Sequence, residues 1–249
     1  MKPATGVAAM AFTVVVAAAL TAAARSTFQA DRAGAAAEQS ERAAKAFAAV
    51  MQAHGKAIPR DLLAAAKAVV VFPRVDRQAG SSEGSRGVVS RRTDTGWGNP
   101  VFVRVSAGSV GPQSRAASTD YFLLLMNDES VQNLLNDPAG IGNAASIAAG
   151  PVVGRSAGSD AAMQAAILSY SSRRGLFAGI DVRGIVIQPE DDLNIAVYDQ
   201  TARGVLAIHD RGGDRVAADV RSFPEMVELY AAAPADIIPP ATAPPAFIN

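Results

Sequence analysis

The sequence predicts an α+β fold in which helices pack on a central antiparallel sheet, either open or barrel-like. Apolar residues recur at helical spacing near the start of the folded part and again near its end. Between these regions, segments of strand character follow one another from residue 68 to residue 126 without intervening long helices. Because consecutive strands favour antiparallel pairing, we expect an antiparallel sheet with helices at its N-terminus, middle and C-terminus.

The first 24 residues have the layout of a secretory signal peptide. Lys2 supplies a positive charge, an apolar run from Val7 to Leu20 follows, and three alanines precede Arg25. The run is short for a membrane-spanning helix, which needs about 20 residues, so a cleaved signal is favoured over a retained anchor. We therefore expect an exported, periplasmic protein, with residues 25–39 as a flexible leader and a folded domain over residues 40–232.

The first elements of that domain are two helices and a buried strand. Apolar side chains at helical spacing predict an amphipathic helix from Ser40 to Gln52. Pro59 is suited to the first turn of a second helix. The run Ala-Val-Val-Val-Phe at 68–72, followed by Pro73, predicts a buried strand.

Three further strands and a helix are predicted up to residue 135. Residues 87–92 and 101–106 predict two strands, and in the second, Val101, Val103 and Val105 share one face while Phe102 and Arg104 share the other. Residues 121–126 predict a fully apolar strand. Asn127 or Asp128 is expected to cap the helix that follows.

The second half of the chain gives weaker patterns. Residues 144–153 predict a strand of small residues and residues 161–170 a helix, whereas 176–187 predicts one long strand kinked at glycines. A short helix over 191–198 and a hairpin over 204–220 are expected next. A closing helix over 223–233 precedes a proline- and alanine-rich tail over 233–249.

Composition and charge exclude several classes of function. The 249 residues carry 23 basic and 23 acidic side chains and no cysteine. A neutral chain does not favour nucleic-acid binding, and the lack of cysteine excludes disulfides and thiolate chemistry. Ten bases face four acids between residues 56 and 115, whereas nine acids face four arginines between 185 and 230. The surface is therefore either dipolar, which would orient the protein on an anionic partner, or ordinarily mixed.

The sequence does not predict an enzyme, a metal site or a cofactor site. The segment 80–84 matches G-x-S-x-G, but a nucleophile elbow needs a strand before the serine and a helix after it. His54 and His209 are the only histidines, and neither has an evident partner. The acids at 190–192 are interpreted as a helix N-terminus.

The most informative segment is Ser-Tyr-Ser-Ser-Arg-Arg-Gly-Leu-Phe-Ala-Gly-Ile at 169–180. Arg173 and Arg174 form a pair of positive charges, which suits an anionic surface. Leu176 and Phe177 either enter the core or touch lipid. For Phe177 the core interpretation is favoured, because this residue begins a long apolar segment.

Several blocks in a fixed order resemble the SYLF-domain family over about residues 40–200. They include A-K-A-V-V-V-F-P at 66–73, G-W-G-N-P-V-F at 96–102, I-G-N-A-A-S-I-A-A-G-P-V-V-G-R at 141–155, S-Y-S-S-R-R-G-L-F-A-G at 169–179 and D-D-L-N-I-A-V-Y at 191–198. The resemblance implies a lipid-binding domain, with phosphoinositides as ligands and actin as a partner in eukaryotic members. Actin is not expected for an exported chain.

The resemblance and the charge pattern together suggest non-enzymatic binding of anionic phospholipid headgroups at a cell-envelope membrane. The expected lipid contacts lie in several separate blocks: Arg173, Arg174, Arg155, Arg86, Arg74, Leu176 and Phe177. The alternative is a structural or protein-interaction module of the periplasm without a lipid ligand, in which an envelope protein would be the partner. Lipid binding predicts that the arginines from separate blocks cluster on one face, whereas the alternative predicts that they are dispersed.

Overall fold

The computed structural model describes residues 6–53, 57–75, 85–106, 119–136, 147–151, 165–173, 176–179, 186–208 and 218–232. The helices are α1 (Gly6–Met51), α2 (Arg60–Ala65), α3 (Asp128–Asn136), α4 (Asp191–Tyr198), α5 (Ala202–Ala207) and, after a 3-10 turn at Ala218–Arg221, α6 (Ser222–Ala232). The strands are β1 (Ala68–Val75), β2 (Ser85–Thr93), β3 (Gly96–Trp97), β4 (Val101–Ser106), β5 (Thr119–Leu125), β6 (Ile147–Ala149), β7 (Ile167–Arg173), β8 (Leu176–Gly179) and β9 (Val186–Pro189).

These strands form one curled, half-barrel sheet with the order β6-β7-β5-β1-β2-β4-β9. All described pairs are antiparallel except β6 with β7. The short strand β3 extends the pairing of β2, and β8 continues along the edge of β7 beyond β6. The predicted α+β class with a mainly antiparallel sheet is confirmed.

Both faces of the sheet are buried, which explains the uninterrupted apolar runs of β1 and β5. On one face, Val71 and Phe122 belong to a cluster that includes Phe47 of α1 and Phe223 of α6. On the other face, Val70 and Leu123 pack in a second cluster with residues of α3 and α5. A strand covered on both sides gains from an apolar residue at every position, so its sequence does not alternate.

The N-terminal helix corrects the expectation of a flexible leader over residues 25–39. That segment is part of α1, in which Ala36 and Gln39 are almost completely buried. At the next residue, the hydroxyl of Ser40 accepts a hydrogen bond from the backbone N–H of Phe223 at 3.1 Å. Alanine is the strongest helix former, and its small side chain allows close packing, so this composition favours a packed helix. Among the described helices, none is long and apolar enough to span a bilayer.

Two expectations for the second half are also wrong. Residues 167–170 lie in β7 rather than in a helix, because Leu168 and Tyr170 alternate with Ile167 across the sheet and β5 supplies the hydrogen-bonding partner. The segment 176–187 is not one strand: β8 pairs with β7, whereas β9 pairs with β4. The rest of the predicted helix, at 161–164, lies outside the described residues.

The hairpin expected over 204–220 is replaced, where described, by helical structure. Ala202, Val205 and Leu206 are buried on one side of α5 at helical spacing, and the Thr201 hydroxyl caps that helix. A 3-10 turn occupies 218–221, while 209–217, with the expected hairpin turn, lies outside the described residues. The tail over 233–249 lies outside them as well.

The remaining helices are as predicted, and the side chains of β4 alternate between the two faces of the sheet as predicted. The helix α4 has the predicted bounds, and the Asn127 side chain caps α3 by accepting from the backbone N–H of Ser130 at 2.8 Å. Val103 and Phe102 belong to the clusters on opposite faces of the sheet.

Candidate functional site

Described arginines from four separate segments lie at one end of the sheet, where β1, β4 and β7 finish and β2 begins. They are Arg74, Arg86, Arg104 and Arg173, and we call this region the arginine end. Arg86 and Arg104 are direct cross-strand partners. Arg173 lies three strand spacings from Arg86, which corresponds to roughly 15 Å.

The structure places most of the residues expected to bind lipid at this end. Arg74 and Arg86 are described in full, and the backbone places Arg173 opposite Leu176, with Phe177 opposite Ser172. Arg155 and Arg174 lie outside the described residues. The backbone places Arg74, Arg86 and Arg173 at the same end of the sheet. Position 173 has the register of Ile167, on the face opposite that of Arg86, so the expected gathering of these arginines on one face stays a prediction.

Arg74 is exposed because the backbone turns at this residue. It has a φ of 54°, and the pairing of β1 with β5 is irregular between Phe72 and Val75. The Arg74 backbone N–H donates to the carboxylate of Asp120 on β5 at 2.8 Å. Burial raises the pKa of Asp120, and this hydrogen bond together with the positive charge of Arg74 reduces that rise.

Arg86 and Arg104 stand on the sheet face that packs against α1, two residues beyond Val88 and Phe102 of the α1-side cluster. The Nε of Arg86 lies 3.1 Å from an oxygen of the Glu190 carboxylate. The other carboxylate oxygen accepts from the Gln39 side-chain amide at 3.0 Å. Gln39 thereby joins α1 to the arginine end.

Arg104 differs from Arg86 in that no ion-pair partner for it lies among the described residues. Its Nε is buried without a hydrogen-bond partner, and the side chain forms no ion pair with any residue that the structure describes. Arg104 shares the face of Phe102 in the sequence pattern, but it was not among the expected site residues. A charged residue on the inner face of a strand was the signal that could have identified it.

A cleft of about 620 Å³ opens beside these arginines, between α1 and the start of α4. We call it the arginine cleft. Arg32 of α1 forms an ion pair of 2.8 Å with Asp192 across it. Among the described residues, three arginines and four acids line it: Arg32, Arg86, Arg104, Asp31, Glu190, Asp191 and Asp192.

Arginines at the opposite end of the sheet have a structural role. Arg92 donates to the carbonyls of Ala66 and Leu63, both at 3.0 Å, and its guanidinium lies 4.4 Å from the centre of the buried Trp97 ring. Arg91 donates to the Leu206 carbonyl at 2.9 Å. These groups fix loops and helices to the sheet, which sets them apart from Arg104.

Within the described ranges, no group of three histidine, cysteine or acidic side chains is placed to hold a metal ion. The acids at 190–192 begin α4, as interpreted from the sequence, and the Asp191 carboxylate accepts from the backbone N–H of Ala202 at 2.7 Å. The G-x-S-x-G segment, His54 and His209 lie outside the described residues.

A family model described as "Ysc84: Las17-binding protein actin regulator" matches residues 106–232, about half of the chain. The chain belongs to this SYLF-domain family. Membership confirms the resemblance carried by the ordered sequence blocks. The family is described by the binding of another protein, Las17.

Curated relatives extend the comparison to yeasts. The SH3 domain-containing protein PJ696.02 of Schizosaccharomyces pombe is 33% identical over 161 residues, which cover 60% of this chain and 37% of the relative. LAS seventeen-binding protein 3 of Saccharomyces cerevisiae is 29% identical over 159 residues, covering 60% and 34%. Protein YSC84 of the same species is 28% identical over 141 residues, covering 55% and 30%. The matched region therefore spans about a third of each relative.

Proposed function

We propose that this SYLF domain binds anionic phospholipid headgroups at a membrane surface, without catalysis, through its arginine end. The observation that carries the proposal is the convergence of Arg74, Arg86, Arg104 and Arg173 from four strands on one end of the sheet. Guanidinium groups suit phosphate because they offer forked donors and keep their charge.

The expected strength of the interaction is sufficient for selective membrane binding. Each basic residue near an anionic surface contributes about 1 kcal/mol, and Arg86 is already paired with Glu190, so the other three contribute on the order of 3 kcal/mol. That free energy corresponds to roughly a hundredfold preference over neutral lipid. Shallow insertion of Leu176 and Phe177 would add to it and remains a prediction.

The membrane concerned is, in this proposal, that of a cell envelope. The charge and hydropathy pattern of residues 1–24 supports export to the periplasm. In that compartment an anionic phospholipid surface is the partner, and actin is not expected.

A second candidate is a protein-interaction or structural module of the periplasm without a lipid ligand. The relatives favour it to the extent that one of them, LAS seventeen-binding protein 3, is named for binding another protein. The cleft itself also carries acidic side chains, which would suit a protein surface of mixed charge. This candidate predicts no preference between anionic and neutral vesicles.

Co-sedimentation of the full chain with vesicles separates the two candidates. Phosphatidylglycerol in phosphatidylcholine is compared with phosphatidylcholine alone over a salt series. We expect binding to the anionic vesicles only, weakened by salt because exposed charges are screened. The double variant Arg74→Ala, Arg173→Ala should lose most of this binding.

The matched control is the double variant Arg42→Ala, Lys45→Ala, which removes two exposed charges from α1. It should bind like the unchanged protein. Equal losses in both double variants would mean that net charge, and not the arginine end, determines binding. Absence of binding at low salt would favour the interaction module.

A further inference from the structure

The cross-strand pair of Arg86 and Arg104 is electrostatically incomplete. Like charges directly opposite each other on neighbouring strands are destabilising unless other groups offset them. Glu190 offsets Arg86, with its oxygen 3.1 Å from the guanidinium Nε. Arg104 has no such partner within the described residues, and its Nε is buried. Within the part of the chain that the structure describes, an acceptor is therefore missing on the Arg104 side of the arginine cleft.

The acids that line the cleft form no ion pair with Arg104 among the described residues, and Asp191 and Asp192 have other partners. Asp192 pairs with Arg32 at 2.8 Å, and the Asp191 carboxylate accepts from the Ala202 backbone N–H. Asp31 is exposed on α1 and forms no ion pair with Arg104. Although four acids and three arginines line the cleft, the two positive charges of Arg86 and Arg104 meet a single carboxylate, that of Glu190.

Hydrogen bonds of its backbone and side chain fix Glu190 in its position beside Arg86. Its backbone N–H donates to the Phe102 carbonyl at 3.0 Å, and its own carbonyl accepts from the Asn194 side chain at 2.9 Å. Its carboxylate also accepts from Gln39. A carboxylate fixed in this way competes with any anion that approaches Arg86.

The cleft has room for a small anionic ligand. Its volume of about 620 Å³ falls in the range typical of small-molecule sites. A phosphate monoester carries more than one negative charge and three acceptor oxygens, so it can accept from two guanidinium groups at once.

We propose that the arginine cleft binds a phosphate monoester between Arg104 and Arg86, and that Glu190 is a built-in competitor that lowers its affinity. The inference rests on the proposed function in that it locates one headgroup site within the arginine end. A lipid headgroup and a soluble phosphate ester present the same phosphate group to these arginines.

Titration calorimetry with glycerol 3-phosphate, and co-sedimentation with phosphatidic acid vesicles, test the proposal on the full chain. Glu190→Gln keeps the size of the side chain and an oxygen for Gln39 but frees Arg86, so affinity should rise about tenfold. Arg104→Gln should lower the affinity about tenfold. Arg104→Lys keeps the positive charge but lacks the forked guanidinium donors, so its affinity should lie between those of Arg104→Gln and the unchanged protein. A gain of affinity in Glu190→Gln has no explanation in misfolding.

The arms of the experiment separate the sources and the two proposals. The expected order of affinities is Glu190→Gln, the unchanged protein, Arg104→Lys and Arg104→Gln, from the highest to the lowest. This order with glycerol 3-phosphate assigns the site to phosphate esters in general. The same order with phosphatidic acid vesicles alone assigns the site to a lipid headgroup. Vesicle binding that ignores Arg104 and Glu190, with no ordered binding of the soluble ester, overturns the inference and leaves the proposed function standing. Ordered binding of the soluble ester without any vesicle binding supports the cleft and contradicts the membrane proposal.

Discussion

The side chain of Asn194 pairs with both backbone groups of Phe102. Its Oδ1 accepts from the Phe102 N–H at 3.0 Å, and its Nδ2 donates to the Phe102 carbonyl at 2.9 Å. The neighbouring strand β9 ends at Pro189, which is paired with Val103, so the buried Asn194 continues the ladder where the strand stops. The first turn of α4, and with it Glu190, is thereby fixed beside the arginine cleft.

Replacement of Asn194 should therefore destabilise the fold. Asn194→Ala leaves the Phe102 N–H without its partner in a buried place, and we expect a loss of about 2–4 kcal/mol in the free energy of unfolding. Urea denaturation followed by circular dichroism measures it. The control Asn133→Ala changes an exposed residue of α3 and should stay within about 0.5 kcal/mol of the unchanged protein. Similar effects of the two substitutions would contradict the role of Asn194.

Replacement of Gly87 and of Gly34 by alanine should change the stability of the fold in opposite directions. A Cβ at Gly87 would overlap the Phe72 ring and lie 2.7 Å from the Val71 carbonyl oxygen, so Gly87→Ala should cost about 3 kcal/mol. Gly34 lies exposed in α1 with open space around it, so Gly34→Ala should add about 0.5–1 kcal/mol. Thermal unfolding of both variants checks the signs. A neutral Gly87→Ala would show that β1 and β2 are less closely packed than described.

Arginines at the two ends of the sheet should separate stability from binding. Arg92→Gln removes two hydrogen bonds to carbonyls and the contact with Trp97, and we expect a loss of about 1–3 kcal/mol in stability with unchanged vesicle binding of the folded protein. Arg74→Gln, at an exposed position, should weaken vesicle binding and change stability little. Denaturation and co-sedimentation of both variants test this. The reverse pattern would contradict the assignment of the two ends.

The raised pKa of Asp120 predicts how stability changes with pH. A carboxyl whose pKa is higher in the folded state than in the unfolded state stabilises the fold at low pH. This stabilisation is lost as the pH rises from the carboxyl's pKa in the unfolded state through its pKa in the folded state. Asp120→Asn keeps an oxygen for the Arg74 N–H and removes the buried charge. Its stability relative to the unchanged protein should therefore be higher at pH 7 than at pH 3.

Urea midpoints at the two pH values give this comparison. Asp94→Asn, in the exposed turn between β2 and β3, controls for the general loss of one carboxylate. The urea midpoints of Asp120→Asn and the unchanged protein could instead differ by the same amount at both pH values. That result would show that burial does not determine the protonation of Asp120.

The strands in the first half could be predicted because their local patterns agree with their tertiary environment. β1 and β5 are buried on both faces and read as continuous apolar runs, and β4 alternates between two clusters. The helix α4 follows the same rule, since its acidic start and its bounds are visible in the sequence. Local preference and global packing point to the same structure at these places.

The remaining elements depend on distant partners. The alanine-rich segment 25–39 reads as a leader until its helix is seen to pack on α6 and the sheet, and β7 is a strand because β5 pairs with it. Arg74, Arg86 and Arg173 were selected as candidate residues from the sequence, whereas Arg104 was not. Its importance arises from cross-strand pairing with Arg86 and from the position of Glu190, which lie far from it in the sequence.

The central claim is that the arginine end faces the membrane, and a pair of fluorescent probes tests it most directly. The chain has no cysteine, so Thr119→Cys at the arginine end and Thr95→Cys at the opposite end can each be labelled singly with an environment-sensitive dye. With phosphatidylglycerol vesicles, we predict a blue shift of emission for the label at 119 and none for the label at 95. A shift at 95 alone, or no shift at 119 while the protein co-sediments with the vesicles, would contradict the account.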